Sequence, residues 1–282
     1  MNTQLKPTVT VLLGVYNGGV HLDQAIRSII HQTYEDFEFL IIDDASTDGS
    51  YDLIQSWADR DKRIRLLRNN TNKGLGYTLA RGVQEARGEW IARMDADDVA
   101  FPHRLEVQMR FVEESDTELD IVGSWAIDVD NDFNQKGVRR VPTTHNRITD
   151  LLWTNPFIHP TVLLRKTAIM AAGSYRPDVV RRQDYELWFR CAAAGLRFAN
   201  IPETLLYYRF DNQWFAKNNA RVIANQVYMG WKGCRLVNAP INAYVGVAVP
   251  LVKCMIPRGL GMAVHSVLRR FDPRTRDPQW DT

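Results

Sequence analysis

The stretch TVTVLLGVYNGGVHLDQAIRSIIHQTYEDFEFLIIDDASTDGS, residues 8–50, contains two apolar runs with a segment of helical periodicity between them. Residues 8–15 are almost all apolar or β-branched, which is typical of a strand buried on both faces. After the turn residues YNGG, apolar residues recur at helical spacing, at Leu22, Ala25, Ile26, Ile29 and Ile30. A second apolar run follows at residues 37–43. This stretch therefore predicts a strand, a helix and a second strand.

The alternation of strand and helix continues to residue 94. The sequence predicts a third strand at residues 63–68, a helix at residues 74–87 and a fourth strand at residues 89–94. Four strands separated by helices indicate an α/β fold with a Rossmann-like, mainly parallel central sheet flanked by helices. In such sheets, ligands bind at the carboxyl ends of the strands.

Polar residues follow three of the four predicted strands. They are Tyr16 and Asn17 after the first strand, Asp43 and Asp44 at the end of the second, and Asp95, Asp97 and Asp98 after the fourth. Because the carboxyl ends of parallel strands meet at one edge of a sheet, we predict that these three groups converge on one binding site.

The acidic residues after the fourth strand lie in RMDADD, residues 93–98. Side chains two positions apart lie on the same side of a strand, so Asp95 and Asp97 can face one point where the strand ends and turns. At such a turn the carboxylates of Asp95 and Asp97 can bind one cation, and their hard oxygen atoms suit Mg²⁺ or Mn²⁺. A solvated acidic turn is the alternative, but the position directly after an apolar strand favours a metal site.

The pair Asp43 and Asp44 has two interpretations. The residues that follow, ASTDGS, favour turns through local hydrogen bonds, and the pair can simply belong to that turn. Alternatively, a carboxylate here accepts the imide N–H of uracil or thymine, which would place a pyrimidine nucleotide at the end of the second strand.

The composition of the 282-residue chain excludes several classes of protein. The charged fraction of 24% argues against disorder, and the net charge of +2 is too balanced for general nucleic-acid binding. The three cysteines have no CxxC spacing and fit a reducing compartment. We expect no signal peptide and no segment that spans a bilayer, and hence a cytoplasmic protein.

The second half of the chain has a different pattern. It predicts helices at residues 101–115 and 181–195, and strands at residues 120–130, 136–142, 161–166 and 203–210, the first two of them antiparallel. Residues 241–276 combine apolar helical pieces with six basic residues and only one acidic residue, Asp272. Two interpretations of residues 216–282 stay open. The helices lie on an anionic membrane surface, or they pack on the core with a solvated basic face.

Residues 8–50, together with NKGLGYTLARGVQEARGEWIARMDADDVAFPHRLEVQ at residues 72–108, resemble the family 2 glycosyltransferases of GT-A fold, and the resemblance extends to about residue 210. It is strongest to bacterial enzymes that build capsule, exopolysaccharide or O-antigen. It implies a nucleotide-diphosphate sugar donor, with a UDP-sugar as the default, a Mn²⁺ or Mg²⁺ ion, and inversion at the anomeric carbon. The expected acceptor is a glycan or a lipid-linked oligosaccharide at the inner face of the cytoplasmic membrane.

The resemblance also divides the chain and assigns site residues. Residues 1–215 are expected to form one domain, in which residues 1–100 bind the nucleotide sugar and residues 101–215 bind the acceptor and carry the catalytic residue. A helical extension follows at residues 216–282. Asp44 matches the base-binding aspartate of the family, and Asp97 matches its metal ligand. The nucleotide-sugar-binding residues are Val15, Tyr16, Asn17, Asp44, Lys73, Asp95 and Ala96, and the metal ligands are Asp97, Asp95 and Asp211.

The segment RRQDYELWFR, residues 181–190, resembles the family segment whose aspartate is the general base, and this assigns the base to Asp184. Two positions depart from the family pattern. Gln183 replaces a glutamate beside the base, and Asp211 stands where many relatives carry a metal-binding histidine, so either Asp211 or water completes the metal site. The acceptor residues are His159, Glu186 and Trp188, although a lone histidine is often structural and Trp188 fits the core equally well.

Three other functions remain as alternatives. A sugar-phosphate nucleotidyltransferase would need a glycine-rich, basic phosphate loop near the N-terminus, and LLGVYNGGVHLD lacks Lys and Arg. A receiver-like signalling module is disfavoured by the length of the chain. A catalytically inactive subunit that binds nucleotide sugars is disfavoured by the intact Asp184 and DxD sequence.

Overall fold

The first half of the protein forms the parallel part of one mixed sheet. A computed structural model describes residues 6–210 and 220–255. The parallel strands are β1 (Val9–Val15), β2 (Phe37–Asp43), β3 (Ile64–Arg68) and β4 (Trp90–Met94). Their order is β3-β2-β1-β4, with Val9 paired to both Phe37 and Trp90. The predicted parallel sheet is therefore confirmed, and the ends of β1, β2 and β4 are neighbours.

The second half extends the same sheet with mixed pairing. Its strands are β5 (Val99–Ala100), β6 (Ile121–Val129), β7 (Gln135–Arg139), β8 (Leu163–Arg165) and β9 (Phe198–Arg209). β8 runs antiparallel to both β4 and β6 and so joins the two halves, while β9 is parallel to β6 and antiparallel to β5. The predicted antiparallel pairing of the strands at residues 120–130 and 136–142 is confirmed by β6 and β7.

Helices cover both faces of the parallel strands. They are α1 (Leu22–Ile30), α2 (Ser50–Ala58), α3 (Leu75–Glu85), α4 (Arg104–Glu113), α5 (His145–Asp150), α6 (Lys166–Ala171) and α7 (Gln183–Ala193). Successive residues of β1 point to opposite faces, so Leu12 joins a buried cluster with α3 and α7, whereas Leu13 joins one with α1 and α4. At Gly82 of α3 a Cβ atom would lie only 2.3 Å from Leu12 Cδ1, so a glycine is required for this close helix packing.

Two further helices, α8 (Ala220–Leu236) and α9 (Ile241–Met255), confirm the predicted helical extension over residues 220–255. Their inner faces pack on the core: Val227 and Val247 belong to the same buried cluster as Leu187 of α7. Within the described ranges, no helix combines the length and the apolar character needed to cross a bilayer. The proposed domain boundary at residue 215 and the basic residues after residue 255 lie outside the described residues.

Candidate active site

The loops that follow β1 and β2 are joined by side-chain hydrogen bonds. The backbone N–H of Asn17 donates to Ser46 Oγ at 3.0 Å, and Asn17 Oδ1 accepts from the backbone N–H of Thr47 at 2.9 Å. Asn17 itself has a positive φ of 52°, a conformation that asparagine tolerates better than most residues. Beside it, Tyr16 is half exposed. The structure thus brings Tyr16 and Asn17 to the edge where Asp43 and Asp44 lie.

Asp44 is buried, and its carboxylate anchors the segment that leads into α3. Oδ1 accepts from Asn69 Nδ2 at 2.6 Å and from the backbone N–H of Lys73 at 2.9 Å, and Oδ2 accepts from the backbone N–H of Gly74 at 2.8 Å. A carboxylate has about four acceptor positions, so three bonds leave one for a ligand. A local turn therefore does not explain the contacts of Asp44, because its hydrogen-bond partners lie at residues 69–74 and not in the turn that follows it.

A basic cavity of about 420 Å³ lies next to Asp44, whose partners Asn69 and Lys73 form part of its wall. Its lining residues are Arg68, Asn69, Asn70, Thr71, Lys73, Tyr77 and Arg81. Three cations and an exposed aromatic ring, that of Tyr77, suit a ligand that carries both negative charge and a planar ring. Only Lys73 was identified from the sequence among these residues.

The three acidic residues after β4 form a compact cluster. One carboxylate oxygen of each of Asp95, Asp97 and Asp98 lies within 4.8 Å of the others, so the chain does turn at the end of the strand. Asp97 is exposed, Asp95 is partly buried and Asp98 is buried. Beneath them, the buried Arg93 makes an ion pair with Asp95, and Ala96 separates the two outer acids.

The electrostatics of this cluster favour a cation. Although Asp97 as a whole residue is exposed, partial loss of water around its carboxylate, together with the charge of Asp95, raises its pKa to about 6. Burial, followed by the charges of Asp95 and Asp97, raises the pKa of Asp98 well above its usual range. Within the described residues, Asp98 Oδ2 is buried without a hydrogen-bond partner. Hard, crowded carboxylate oxygens of this kind fit Mg²⁺ or Mn²⁺.

Arg209, at the end of β9, holds the acidic turn in place. Its backbone N–H donates to Asp98 Oδ1 at 2.8 Å, and its Nε donates to the carbonyl of Asp97 at 2.9 Å. Its Nη1 donates to the carbonyls of Asp130 and Asn131, both at 3.0 Å. One buried guanidinium thus ties the turn after β4 to the β6–β7 turn. The third predicted metal ligand, Asp211, lies outside the described residues.

Asp184 is the second residue of α7, and it is partly exposed. Its Oδ2 accepts a hydrogen bond from Asn155 Nδ2 at 2.8 Å. A carboxylate in the first turn of a helix is stabilised in its charged form by the helix dipole. Its neighbour Gln183 is buried, so the position that departs from the family pattern faces protein rather than solvent.

Tyr175, a buried residue of the segment before α7, contacts the candidate acceptor residue His159. Its hydroxyl lies 2.8 Å from His159 Nε2. Burial chiefly raises the pKa of Tyr175, so this phenol stays neutral. Burial and the charge of Arg93 lower the pKa of His159 well below its usual range, so the imidazole is neutral as well.

Two of the three predicted acceptor residues are occupied by contacts within the protein. Trp188 has no exposed surface and its ring packs on Phe157, which favours the core alternative over the acceptor pocket. Glu186 makes an ion pair with Arg190 at 2.8 Å, which leaves its carboxylate as a support for the loop before α7. His159, which is partly buried, stays a candidate.

Residues 10–172 match the sequence profile described as Glycosyl transferase family 2. The chain belongs to this family. It is 33% identical over 262 residues to the putative glycosyltransferase EpsE of Bacillus subtilis, covering 92% of this chain and 93% of EpsE. It is also 30% identical over 219 residues to the O-antigen biosynthesis glycosyltransferase WbnJ of Escherichia coli, covering 76% and 84% of the two chains.

A solved structure of residues 1–349 of Staphylococcus aureus TarS in complex with UDP-GlcNAc superimposes on this glycosyltransferase with a TM-score of 0.70. The match covers 90% of this chain and 77% of that one, at 14% sequence identity. At this identity the likeness shows the fold alone, and it confirms the predicted GT-A fold.

Sequence reasoning missed four residues that this family 2 glycosyltransferase uses to build the site: Asn69, Arg93, Asn155 and Arg209. The sequence contained a signal that could have identified Arg93. A cation inside an apolar strand needs a partner of opposite charge, and an aspartate follows two residues later. Asn155 and Arg209 had none, because their partners lie 29 and 112 positions away.

Proposed function

We propose that the protein is an inverting glycosyltransferase. It moves a sugar from a nucleotide-diphosphate sugar to a hydroxyl of a glycan or lipid-linked oligosaccharide in bacterial surface polysaccharide synthesis. The observation that carries this proposal is that the first turn of α3 packs against the first turn of α7. A Cβ atom at Gly76 would lie 3.8 Å from Cβ of Gln183, the residue before Asp184, and Gly74 at the start of α3 donates to Asp44. The candidate base and the candidate nucleotide site are therefore next to each other. The role of WbnJ in O-antigen biosynthesis supports the polysaccharide assignment.

Asp184 is the general base in this proposal. It removes the proton from the acceptor hydroxyl, the oxygen attacks the anomeric carbon, and the nucleoside diphosphate leaves from the opposite side. One base is sufficient for inversion, since retention by double displacement would need a separate nucleophile. The first turn of α7 supports the role, because the N-terminal end of a helix dipole favours a negatively charged side chain.

Asp97 and Asp95 are the proposed ligands of a Mn²⁺ or Mg²⁺ ion, which when bound neutralises the negative charge that grows on the leaving diphosphate. The protein prepares this site in two ways. Arg209 fixes the backbone of the turn through the carbonyl of Asp97, and Arg93 orients Asp95 from below. These contacts let the carboxylates receive a cation without a rearrangement of the turn.

The donor is proposed to be a UDP-sugar. The remaining acceptor position of Asp44 suits the imide N–H of uracil, and Tyr16 and the basic cavity beside Lys73 suit the ring and the negative charge of a nucleotide. The complex of TarS with UDP-GlcNAc shows that a chain of this fold binds such a donor. Thymine presents the same imide edge, so dTDP-sugars belong in the same test.

A thermal-shift screen of nucleotide sugars, with and without Mn²⁺, tests the proposed donor. We expect UDP-sugars to raise the melting temperature in a concentration-dependent way. At a UDP-sugar concentration one hundred times the dissociation constant, the free energy of unfolding should rise by about 2.7 kcal/mol. CDP- and ADP-sugars are the control, because cytosine and adenine carry no ring N–H on the edge that would face Asp44. If no nucleotide sugar stabilises the protein, the proposal fails. If donors bind but none is consumed with any acceptor, the inactive-subunit alternative is correct.

We also propose that the outer face of α8 and α9 contacts an anionic membrane. Large apolar side chains are exposed on it, namely Tyr228, Trp231, Ile241 and Val245. Lys232 lies 4.7 Å from the centre of the Tyr228 ring, which combines a cation with an aromatic surface. Residues 212–271 contain eight Lys and Arg residues and no Asp or Glu. Apolar and aromatic side chains with basic neighbours are typical of an interfacial surface.

Sedimentation with lipid vesicles tests this surface. We expect the wild-type protein to sediment with vesicles that contain phosphatidylglycerol and not with neutral phosphatidylcholine vesicles. The double variant Ile241→Glu/Val245→Glu should lose this binding while its melting temperature stays unchanged, because both side chains are exposed. Val138→Glu, another exposed valine on β7, is the matched control. Equal sedimentation of the double variant and the wild type would contradict the proposal.

A further inference from the structure

Asn155 has a strained backbone beside the candidate base. Its φ of 59° and ψ of 79° lie in the left-handed region, which a non-glycine residue adopts at a cost of about 1 kcal/mol or more. Its Nδ2 donates to Asp184 Oδ2 at 2.8 Å, and its Oδ1 is buried without a partner in the part of the chain that the structure describes. A residue that keeps both a strained backbone and an unsatisfied oxygen serves a purpose other than local stability.

The turn that carries Asn155 is fastened to α7 at a second point. The hydroxyl of Tyr185, the residue after Asp184, donates to the carbonyl of Trp153 at 3.0 Å. Two hydrogen bonds therefore join residues 153–155 to the first turn of α7. Since the turn and the helix are fixed to each other, the amide of Asn155 has little freedom to point elsewhere. Arg182, the N-cap of α7, is also left-handed, with a φ of 59°.

We propose that Asn155 is a positioning residue that selects which oxygen of Asp184 acts as the base. Its amide occupies Oδ2, which leaves Oδ1 to accept the proton of the acceptor hydroxyl. This inference rests on the proposed function, in which Asp184 is the base.

The test uses Asn155→Gly and Asn155→Asp. Glycine adopts the left-handed conformation without strain, so Asn155→Gly removes the amide and keeps the turn. We expect kcat to fall about ten-fold, as the loss of one hydrogen bond to a charged group allows, with donor binding unchanged. Asn155→Asp removes the donor and places two carboxyl groups side by side, so its kcat should fall further while donor binding again stays unchanged.

Asn238→Gly is the matched control, because Asn238 is also left-handed but lies between α8 and α9. It should leave kcat and donor binding unchanged. The inference is overturned if Asn155→Gly keeps the wild-type kcat, or if its loss of activity equals its loss of donor binding, as a purely structural role would produce. If instead Asp184→Asn retains turnover, the base assignment itself fails, which is a separate result.

Discussion

We expect Asp184→Asn to abolish sugar transfer while the protein stays folded and binds its donor. Asparagine has the same shape as aspartate, but its amide cannot accept the proton of the acceptor hydroxyl. Asp184 is partly exposed, and Asn155, its side-chain partner among the described residues, can equally donate to an amide oxygen, so the substitution should disturb little structure. Loss of a positioned base costs about two to four powers of ten in rate. Turnover of a UDP-sugar with acceptor measures this loss, and thermal shift measures donor binding.

Asp178→Asn is the control for this experiment. Asp178 lies in the same segment, and its exposed ion pair with Arg176 has a length of 2.7 Å. Exposed ion pairs contribute little to stability, so this variant should keep both turnover and melting temperature. If Asp184→Asn kept near-wild-type turnover, the base would have to be another group, and His159 would become the first candidate.

The fold was predictable because its elements repeat local patterns. The strand at residues 8–15 and the helix after it follow from apolar spacing within a few residues, and the order of strand and helix determines the parallel sheet. The position of Asp44 and of the acidic turn at the same edge of the sheet was also predictable, because the carboxyl ends of parallel strands lie along one edge of their sheet.

The details of the site depended on contacts that no local pattern contains. Asp97 faces solvent and Asp98 is buried because Arg209 holds the turn in this orientation. The backbone N–H of Arg209 binds Asp98, and its guanidinium binds the carbonyl of Asp97, 112 positions away in the sequence. The burial of Trp188 had a similar cause. Its helix α7 lies between the sheet and α8, where Gly233 approaches the ring of the neighbouring Phe189. A helix covered on two sides buries residues that an amphipathic pattern would leave exposed.

Asp97→Asn is the second variant with a large expected effect, and it should separate activity from stability. The amide is a weaker ligand for a hard cation than a carboxylate, so the variant should lose the part of donor stabilisation that depends on Mn²⁺. Turnover should fall by about two to three powers of ten, as is typical when one group that stabilises the charge of a transition state is removed. The exposed Asp132 in the β6–β7 turn provides the control Asp132→Asn, which should behave as the wild type.

Without a cation, the same variant should be at least as stable as the wild type. Desolvation and the charge of Asp95 raise the pKa of Asp97 to about 6, above its usual 3.8, so the folded state disfavours the ionised form. At pH 7.5 a raised pKa means that ionised Asp97 destabilises the fold, and neutral asparagine removes this cost. Thermal unfolding in EDTA should therefore give a melting temperature equal to or above that of the wild type. A clearly lower melting temperature would mean that the Asp97 side chain stabilises the turn. The variant would then lose activity because the turn is disturbed and not because a cation ligand is missing.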